Sequence, residues 1–185
     1  MTSHTLNLRL WWKNLPPVWK EIFIENLELQ DWFCLNDIEY VFTLTELDCS
    51  GKDIQDLEPL YYLPQIEVLN INRTRIQDFS PLRALTNLRE LQAVFCEAGD
   101  LSVLVGLTKL EVLDISYPTT RIQNLDDLQY LSSLRELYCN SCGIQSMWLF
   151  AGLRSLEILC AYFNPFVKAE GARLKAIHQN CEIML

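Results

Sequence analysis

Apolar residues recur along the chain with a long, fixed period. Leu44, Ile66, Leu88, Leu110, Leu134 and Leu156 follow one another at steps of 22, 22, 22, 24 and 22 residues. Three residues after each of them stands a leucine: Leu47, Leu69, Leu91, Leu113, Leu137 and Leu159. Two residues further on the side chain is small or apolar (Cys49, Ile71, Ala93, Ile115, Cys139, Ala161). A spacing of two puts both residues on the same side of an extended backbone, so each unit is predicted to open with a short strand whose alternate residues point inward. The rest of each unit carries apolar residues every third position, as in Ile54, Leu57, Leu60 and Leu63, then Ile76, Phe79, Leu82 and Leu85, and later Ile144, Met147, Phe150 and Leu153. This spacing suits 3₁₀ turns or short extended segments better than α-helix, and Pro59 and Pro81 at matching positions disfavour regular helix. Strands therefore line one face and tight turns the other.

Segments such as IQDLEPLYYL and IQDFSPLRAL, each preceded by L-x-x-L-x-L, resemble the 22-residue class of leucine-rich repeats found in bacterial internalins and in some eukaryotic phosphatase regulators. The resemblance covers about residues 44–166, two thirds of the chain. It implies an α/β fold: one right-handed solenoid with a parallel β-sheet on its concave side and a 3₁₀ or irregular convex side. The departure lies at the family's asparagine position, whose side chain bonds backbone groups of the turn. Here the units carry Lys52, Thr74, Cys96, Pro118, Cys142 and finally Asn164. Threonine and cysteine substitute weakly and lysine and proline not at all, so irregularity is expected at the first and fourth units.

A solenoid needs covers at both ends. Residues 1–43 read as an N-terminal cap with a partial unit: they hold Trp11, Trp12, Trp19 and Trp32, a helix start at Pro16-Pro17 with an apolar face of Trp19, Ile22, Phe23 and Leu27, and the three-residue spacing of Leu35, Ile38 and Val41. Residues 44–166 hold about five full units and a final partial one. Residues 167–185 read as a C-terminal cap, AEGARLKAIHQN forming a helix and CEIML a last strand, all within one domain. The tryptophan-rich start serves either as a cap or as a binding patch.

Composition narrows the chemistry. Half of the 185 residues are apolar, enough for a single core, and 24 acidic against 15 basic residues give a net charge of −9. That balance argues against nucleic acid and anionic lipid as ligands and for a basic protein partner. No apolar run is long enough for a membrane span, and the N-terminus lacks a secretion signal's order. With seven cysteines, an odd number, these features point to reduced thiols in a cytoplasm and to a monomer when unbound.

Cys139 and Cys142 form a C-x-x-C string, which elsewhere marks redox or zinc chemistry. The repeat places both inward, as it does Cys49 and Cys96, and buried thiols act as small hydrophobes. Cys160 falls on the outward strand face and is expected to be the more reactive thiol. His178 is expected at the surface or at a helix end. No nucleotide-binding, metalloprotease or hydrolase motif occurs, so no catalytic residue, cofactor or metal ligand is assigned.

The strand residues that point away from the core remain. They form columns: Glu46, Val68, Glu90, Val112, Glu136, Ile158; then Asp48, Asn70, Gln92, Asp114, Tyr138, Cys160; then Ser50, Asn72, Val94, Ser116, Asn140, Tyr162; then Gly51, Arg73, Phe95, Tyr117, Ser141, Phe163. Neighbouring members sit one strand spacing apart, about 4.8 Å. Carboxylates thus meet an aromatic cluster, and Glu46, Asp48, Glu90, Gln92, Phe95, Asp114, Tyr117, Glu136, Tyr138, Tyr162 and Phe163 are the expected partner-binding residues. A solvated acidic face with tyrosines as ordinary strand formers is the alternative. Two extra residues in YPTTRIQ are expected to bulge near Tyr117. These features fit a non-catalytic binding protein, foremost an intracellular inhibitor or immunity-type protein for a basic toxin or nuclease, by analogy with acidic leucine-rich ribonuclease inhibitors. A scaffold or regulatory subunit is the second reading and a thiol-dependent enzyme the third.

Overall fold

The computed structural model describes residues 3–28, 37–97, 99–165 and 168–185. Trp32 and Leu35 of the expected N-terminal cap, and Cys34, lie outside them. Seven three-residue strands, β1 (Glu46–Asp48), β2 (Val68–Asn70), β3 (Glu90–Gln92), β4 (Val112–Asp114), β5 (Glu136–Tyr138), β6 (Ile158–Cys160) and β7 (Glu182–Met184), form one parallel sheet in sequential order. The pairing is in strict register: Leu47, Leu69, Leu91, Leu113, Leu137, Leu159 and Ile183 stand side by side. Because one register holds throughout, the inward leucines stack on one another, and all six are buried. The opposite wall is made of 3₁₀ turns at Glu58–Tyr62, Ser80–Ala84, Leu101–Gly106, Leu125–Tyr130 and Met147–Gly152. Their every-third-residue apolar positions, including Ile54, Leu57, Leu60, Leu63, Ile76, Phe79, Leu82 and Leu85, are buried against the leucine ladder. The solenoid with a strand wall and a 3₁₀ wall is the one the repeat predicts.

Among the described residues, four α-helices lie outside the repeats: α1 (Ser3–Asn14), α2 (Pro17–Asn26), α3 (Ile38–Val41) and α4 (Lys168–Ile177). Helix α2 starts at the predicted proline, which needs no hydrogen bond for its missing N–H in the first turn, and buries Trp19, Ile22 and Phe23. Trp12 and Trp19 are buried and Trp11 packs its ring on Phe23 and Phe42, so these aromatics cover the open end of the core. Helix α1 was not foreseen from the sequence. Asn26 closes the exposed edge of the sheet: its side-chain N–H donates to the Asp48 carbonyl (2.9 Å) and its Oδ1 accepts from the Asp48 N–H (2.7 Å). One amide side chain thereby takes the place of a neighbouring strand. At the far end β7 extends the sheet beside β6, and α4 buries Leu174 over the last unit.

At the asparagine position, the Cys96 and Cys142 thiols donate to the carbonyls of Ile71 (2.9 Å) and Ile115 (3.3 Å), and Asn164 donates to Cys139 (2.9 Å), each reaching back to the preceding unit. Thr74 donates within its own unit, to the Ile71 carbonyl (2.7 Å), and its hydroxyl meets the Cys96 thiol of the next unit at 3.5 Å. Lys52 leaves the column and pairs with Glu21 (2.8 Å) and Glu25 (2.7 Å) of α2, which ties the cap to the first unit and holds the Glu21 carboxyl below its usual range. At Pro118 the following residue takes over: the Thr119 N–H donates to the Cys96 carbonyl at 2.9 Å and its hydroxyl at 3.2 Å. The expected irregularity at the first and fourth units thus leaves strand pairing intact.

A second ladder escaped the sequence reading. The residues just before the strands alternate in charge, Glu67, Arg89, Glu111, Arg135 and Glu157, and each arginine bridges the acids on both sides. These pairs are exposed, so each contributes under about 1 kcal/mol, but a slip of one unit would set like charges opposite each other.

Candidate functional site

The outward strand residues share one face because the common register fixes their columns. Glu46 and Asp48 are exposed at its N-terminal end, Glu90, Gln92, Asp114, Glu136 and Tyr138 are half-buried along its middle, and Phe95, Tyr117, Tyr162 and Phe163 are exposed along one rim. Phe163 stands 78% exposed, which is unusual for a ring of that size.

Hydrogen bonds divide this surface more than its composition suggests. Asp48, Asn70 and Asp114 each accept the backbone N–H two residues ahead, at Ser50 (2.8 Å), Asn72 (3.0 Å) and Ser116 (2.9 Å), and so hold the turn that ends the strand. Gln92 donates to Glu90 (2.6 Å) and accepts from Asn72 (3.2 Å). The Tyr138 hydroxyl donates to Glu136 (2.9 Å), and burial, followed by this bond and the charges of Glu136 and Asp114, pushes its ionisation up to about 12. The face carboxylates are therefore structural acceptors as well as sources of negative potential.

The third column departs from the expectation that it is free surface. Ser116 and Asn140 are buried. Asn140 donates to the Ser116 hydroxyl from both its backbone and side chain (3.2 Å each), while its Oδ1 accepts from the Tyr162 N–H (2.8 Å) and the Cys160 thiol (3.3 Å). Asn72 makes the equivalent link to the Val94 N–H (2.6 Å). Two asparagines thus tie consecutive units across the face, a role that a column reading of strands cannot separate from surface exposure.

Cys160, expected to be exposed, is only 8% so, because its thiol lies against the Asn140 side chain. His178, expected at the surface or at a helix end, directly follows the end of α4 and is buried there, with its Nε2 3.0 Å from the Phe150 carbonyl. Cys49, Cys96, Cys139 and Cys142 are buried as the repeat requires, and burial raises each thiol's ionisation, that of Cys142 to about 12. Those thiols are poor nucleophiles at neutral pH.

The rim has its own backbone signature. Gly51, Arg73, Phe95, Tyr117, Ser141 and Phe163 all adopt φ between 55° and 68°, the left-handed region. Their N–H groups donate in turn to Asn72, Val94, Ser116, Asn140 and Tyr162 of the next unit, at 2.8 to 3.1 Å, for all but the last. A side chain other than glycine costs about 1–2 kcal/mol there, yet three of the six are aromatic. The expected aromatic cluster resolves into two pairs: Phe95 stacks on Tyr117 (5.3 Å between centroids, 19° between planes), and Tyr162 meets Phe163 at 6.2 Å and 49°. Arg73 lies over Phe95, 5.9 Å from its centre. Tyr138 turns to Glu136 and joins neither pair. Beyond the rim, the extra residues of the fourth unit are exposed beside an open groove of about 1050 Å³, lined among others by Arg121, Asn124, Gln145, Trp148 and Pro165.

A family model described as leucine-rich repeats (2 copies) matches residues 43–84. No protein with a curated description matches the chain. Among solved structures, an internalin of Listeria monocytogenes superposes with a TM-score of 0.68 at 22% identity, covering 80% of this chain and 42% of that one. A leucine-rich repeat protein of Leptospira interrogans gives 0.68 at 19% identity, with 80% and 39% covered. Internalin C2 of Listeria monocytogenes gives 0.52 at 17% identity, with 91% and 92% covered. The chain therefore spans about two fifths of the first two neighbours, and at these identities the likeness speaks for the fold. With the 22-residue period, the repeats matched at residues 43–84 and the shared solenoid in agreement, the chain folds as a leucine-rich repeat solenoid similar to those of the internalins.

Proposed function

We propose that the chain is a non-catalytic protein that acts by occupying the surface of a basic partner, as a cytoplasmic inhibitor or immunity-type protein for a toxin or nuclease. The observation that carries this reading is the concave face itself. Carboxylates at Glu46, Asp48, Glu90, Asp114 and Glu136 lie beside the exposed rings of Phe95, Tyr117, Tyr162 and Phe163. Negative potential speeds the encounter with a cationic protein, and exposed aromatic rings on a rigid backbone give desolvated contact at small entropic cost. The buried, weakly acidic thiols give no support to thiol chemistry.

The test is capture of partners from the native host by the tagged chain, alongside a Tyr162→Ala/Phe163→Ala variant and a Glu90→Lys/Asp114→Lys variant. A basic protein retained by the parent, lost by both variants and inhibited by a stoichiometric amount of the purified chain supports the reading. A partner retained equally by all three moves the site off the concave face, and a neutral or acidic assembly that co-purifies intact favours a scaffold.

A further inference from the structure

The left-handed rim forms a ladder with one rung empty. Its members are locked unit to unit by the backbone bonds from Arg73 to Val94, Phe95 to Ser116, Tyr117 to Asn140 and Ser141 to Tyr162, so their side chains leave the backbone at equivalent points. Arg73, Phe95 and Tyr117 fill three successive rungs with flat groups, a guanidinium over a ring and a ring over a ring. The 5.3 Å between Phe95 and Tyr117 is close to one strand spacing, so the stack runs along the solenoid axis. At the next rung stands Ser141, exposed and too short to continue the stack, and at the following one stands Phe163, exposed and tilted against Tyr162. From Tyr117 to Phe163 the column spans two strand spacings, roughly 9.6 Å. One flat group sandwiched between two rings needs about 7 Å, so the slot takes one and not two.

We propose that this slot above Ser141 receives a single arginine side chain of the partner, its guanidinium sandwiched between Tyr117 and Phe163. The inference rests on the concave face being the binding surface and names what enters it. Three features choose guanidinium over an aromatic ring. The net charge of −9 and the carboxylates of the face favour a cation. The ladder already uses a guanidinium as a flat rung, at Arg73 over Phe95. A guanidinium also stacks on two rings while keeping its edge donors free for hydrogen bonds, which an ammonium cannot do. The backbone at Ser141 is preorganised, because the preceding Asn140 is buried and bonded to the units on both sides. Little ordering is then left to be done on binding.

The experiment measures binding of hexa-arginine and hexa-lysine peptides to the full chain at low salt, by calorimetry and by shifts of the Tyr117 and Phe163 ring protons. Two variants separate the slot from the face. Ser141→Phe fills the rung with the residue that Phe95 and Phe163 already tolerate in the same backbone conformation, and Ser141→Gly keeps it open while relieving the left-handed strain. The expected result is hexa-arginine bound roughly tenfold tighter than hexa-lysine, with the difference abolished in Ser141→Phe and kept in Ser141→Gly. Equal affinity for the two peptides, or a preference for arginine that survives Ser141→Phe, overturns the slot and leaves the acidic face standing. Binding of neither peptide overturns both. A tryptophan hexapeptide that displaces hexa-arginine assigns the rung to an aromatic ring instead and overturns the choice of guanidinium.

Discussion

The first three units and the last three share one inner wall and differ on the outer one. Inside, both halves present the same leucine ladder to a 3₁₀ wall, and the strand leucines are buried alike. Outside, the first half carries Asp48, Asn70, Asn72, Gln92 and Glu90, whose polar atoms are largely committed to one another and to backbone. The second half carries Tyr117, Tyr162 and Phe163, whose rings have no hydrogen bonds to satisfy on their faces and remain open to solvent. Polar side chains on a strand satisfy each other and close the surface, whereas aromatic ones leave a surface that only a partner can desolvate. The carboxylates, Glu46, Asp48 and Glu90 in the first half with Asp114 and Glu136 in the second, supply field, and the exposed rings, all but Phe95 in the second half, supply contact.

Several substitutions bear on this contrast. Leu91→Ala and Leu137→Ala, one in each half, should each cost about 2–5 kcal/mol in chemical denaturation, because the inner wall does not distinguish the halves. A large difference between them would show that the ladder is not uniform. Gln92→Ala, next to Leu91 but outward, should cost under about 0.5 kcal/mol.

Asn140→Ala should cost up to about 3 kcal/mol and Asn72→Ala about 1, since Asn140 is buried with its bonds to Ser116 and Cys160 while Asn72 is partly solvated. A reversed order would mean that the unit-to-unit tie is stronger in the polar half. Against a purified partner, Tyr162→Ala should weaken binding by about 2 kcal/mol through faster dissociation. Glu90→Lys/Asp114→Lys should slow association, most at low salt, and leave dissociation nearly unchanged. If both act on the same rate constant, field and contact are not divided between the carboxylates and the rings.

Tyr138 lies within the second half, in the fifth strand, and its behaviour with pH is expected from its neighbours. Its ionisation is raised from the ordinary 10 to about 12 in the folded chain, so the neutral phenol is the form the fold favours. Its contribution to stability is full below pH 10 and is lost as pH rises through about 12. Ultraviolet titration should show one tyrosinate forming late in the parent and none at that position in Tyr138→Phe. Thiol labelling gives the smallest effect: among the described cysteines, half-buried Cys181 should react before Cys160, which the column reading alone would have ranked first.

The sequence by itself determined the inner wall. A leucine every 22 residues, an apolar residue two further on and a string of apolar residues at intervals of three leave one economical arrangement, because a short strand and a 3₁₀ turn bury their apolar faces only against copies of themselves. Both end caps were legible for the same reason, as Trp19, Ile22, Phe23 and Leu174 need a core to cover. The outer wall was legible only as columns. Whether a residue in a column is surface, as Phe163 is, or a buried tie between units, as Asn140 is, depends on which neighbour it reaches 20 to 24 residues away. The same holds for Cys160, hidden by Asn140, and for His178, bonded to Phe150. Only the tertiary structure decided these, because hydrophobic periodicity records which side of the backbone faces the core, while a polar side chain's place is set by the partner it finds across the stack.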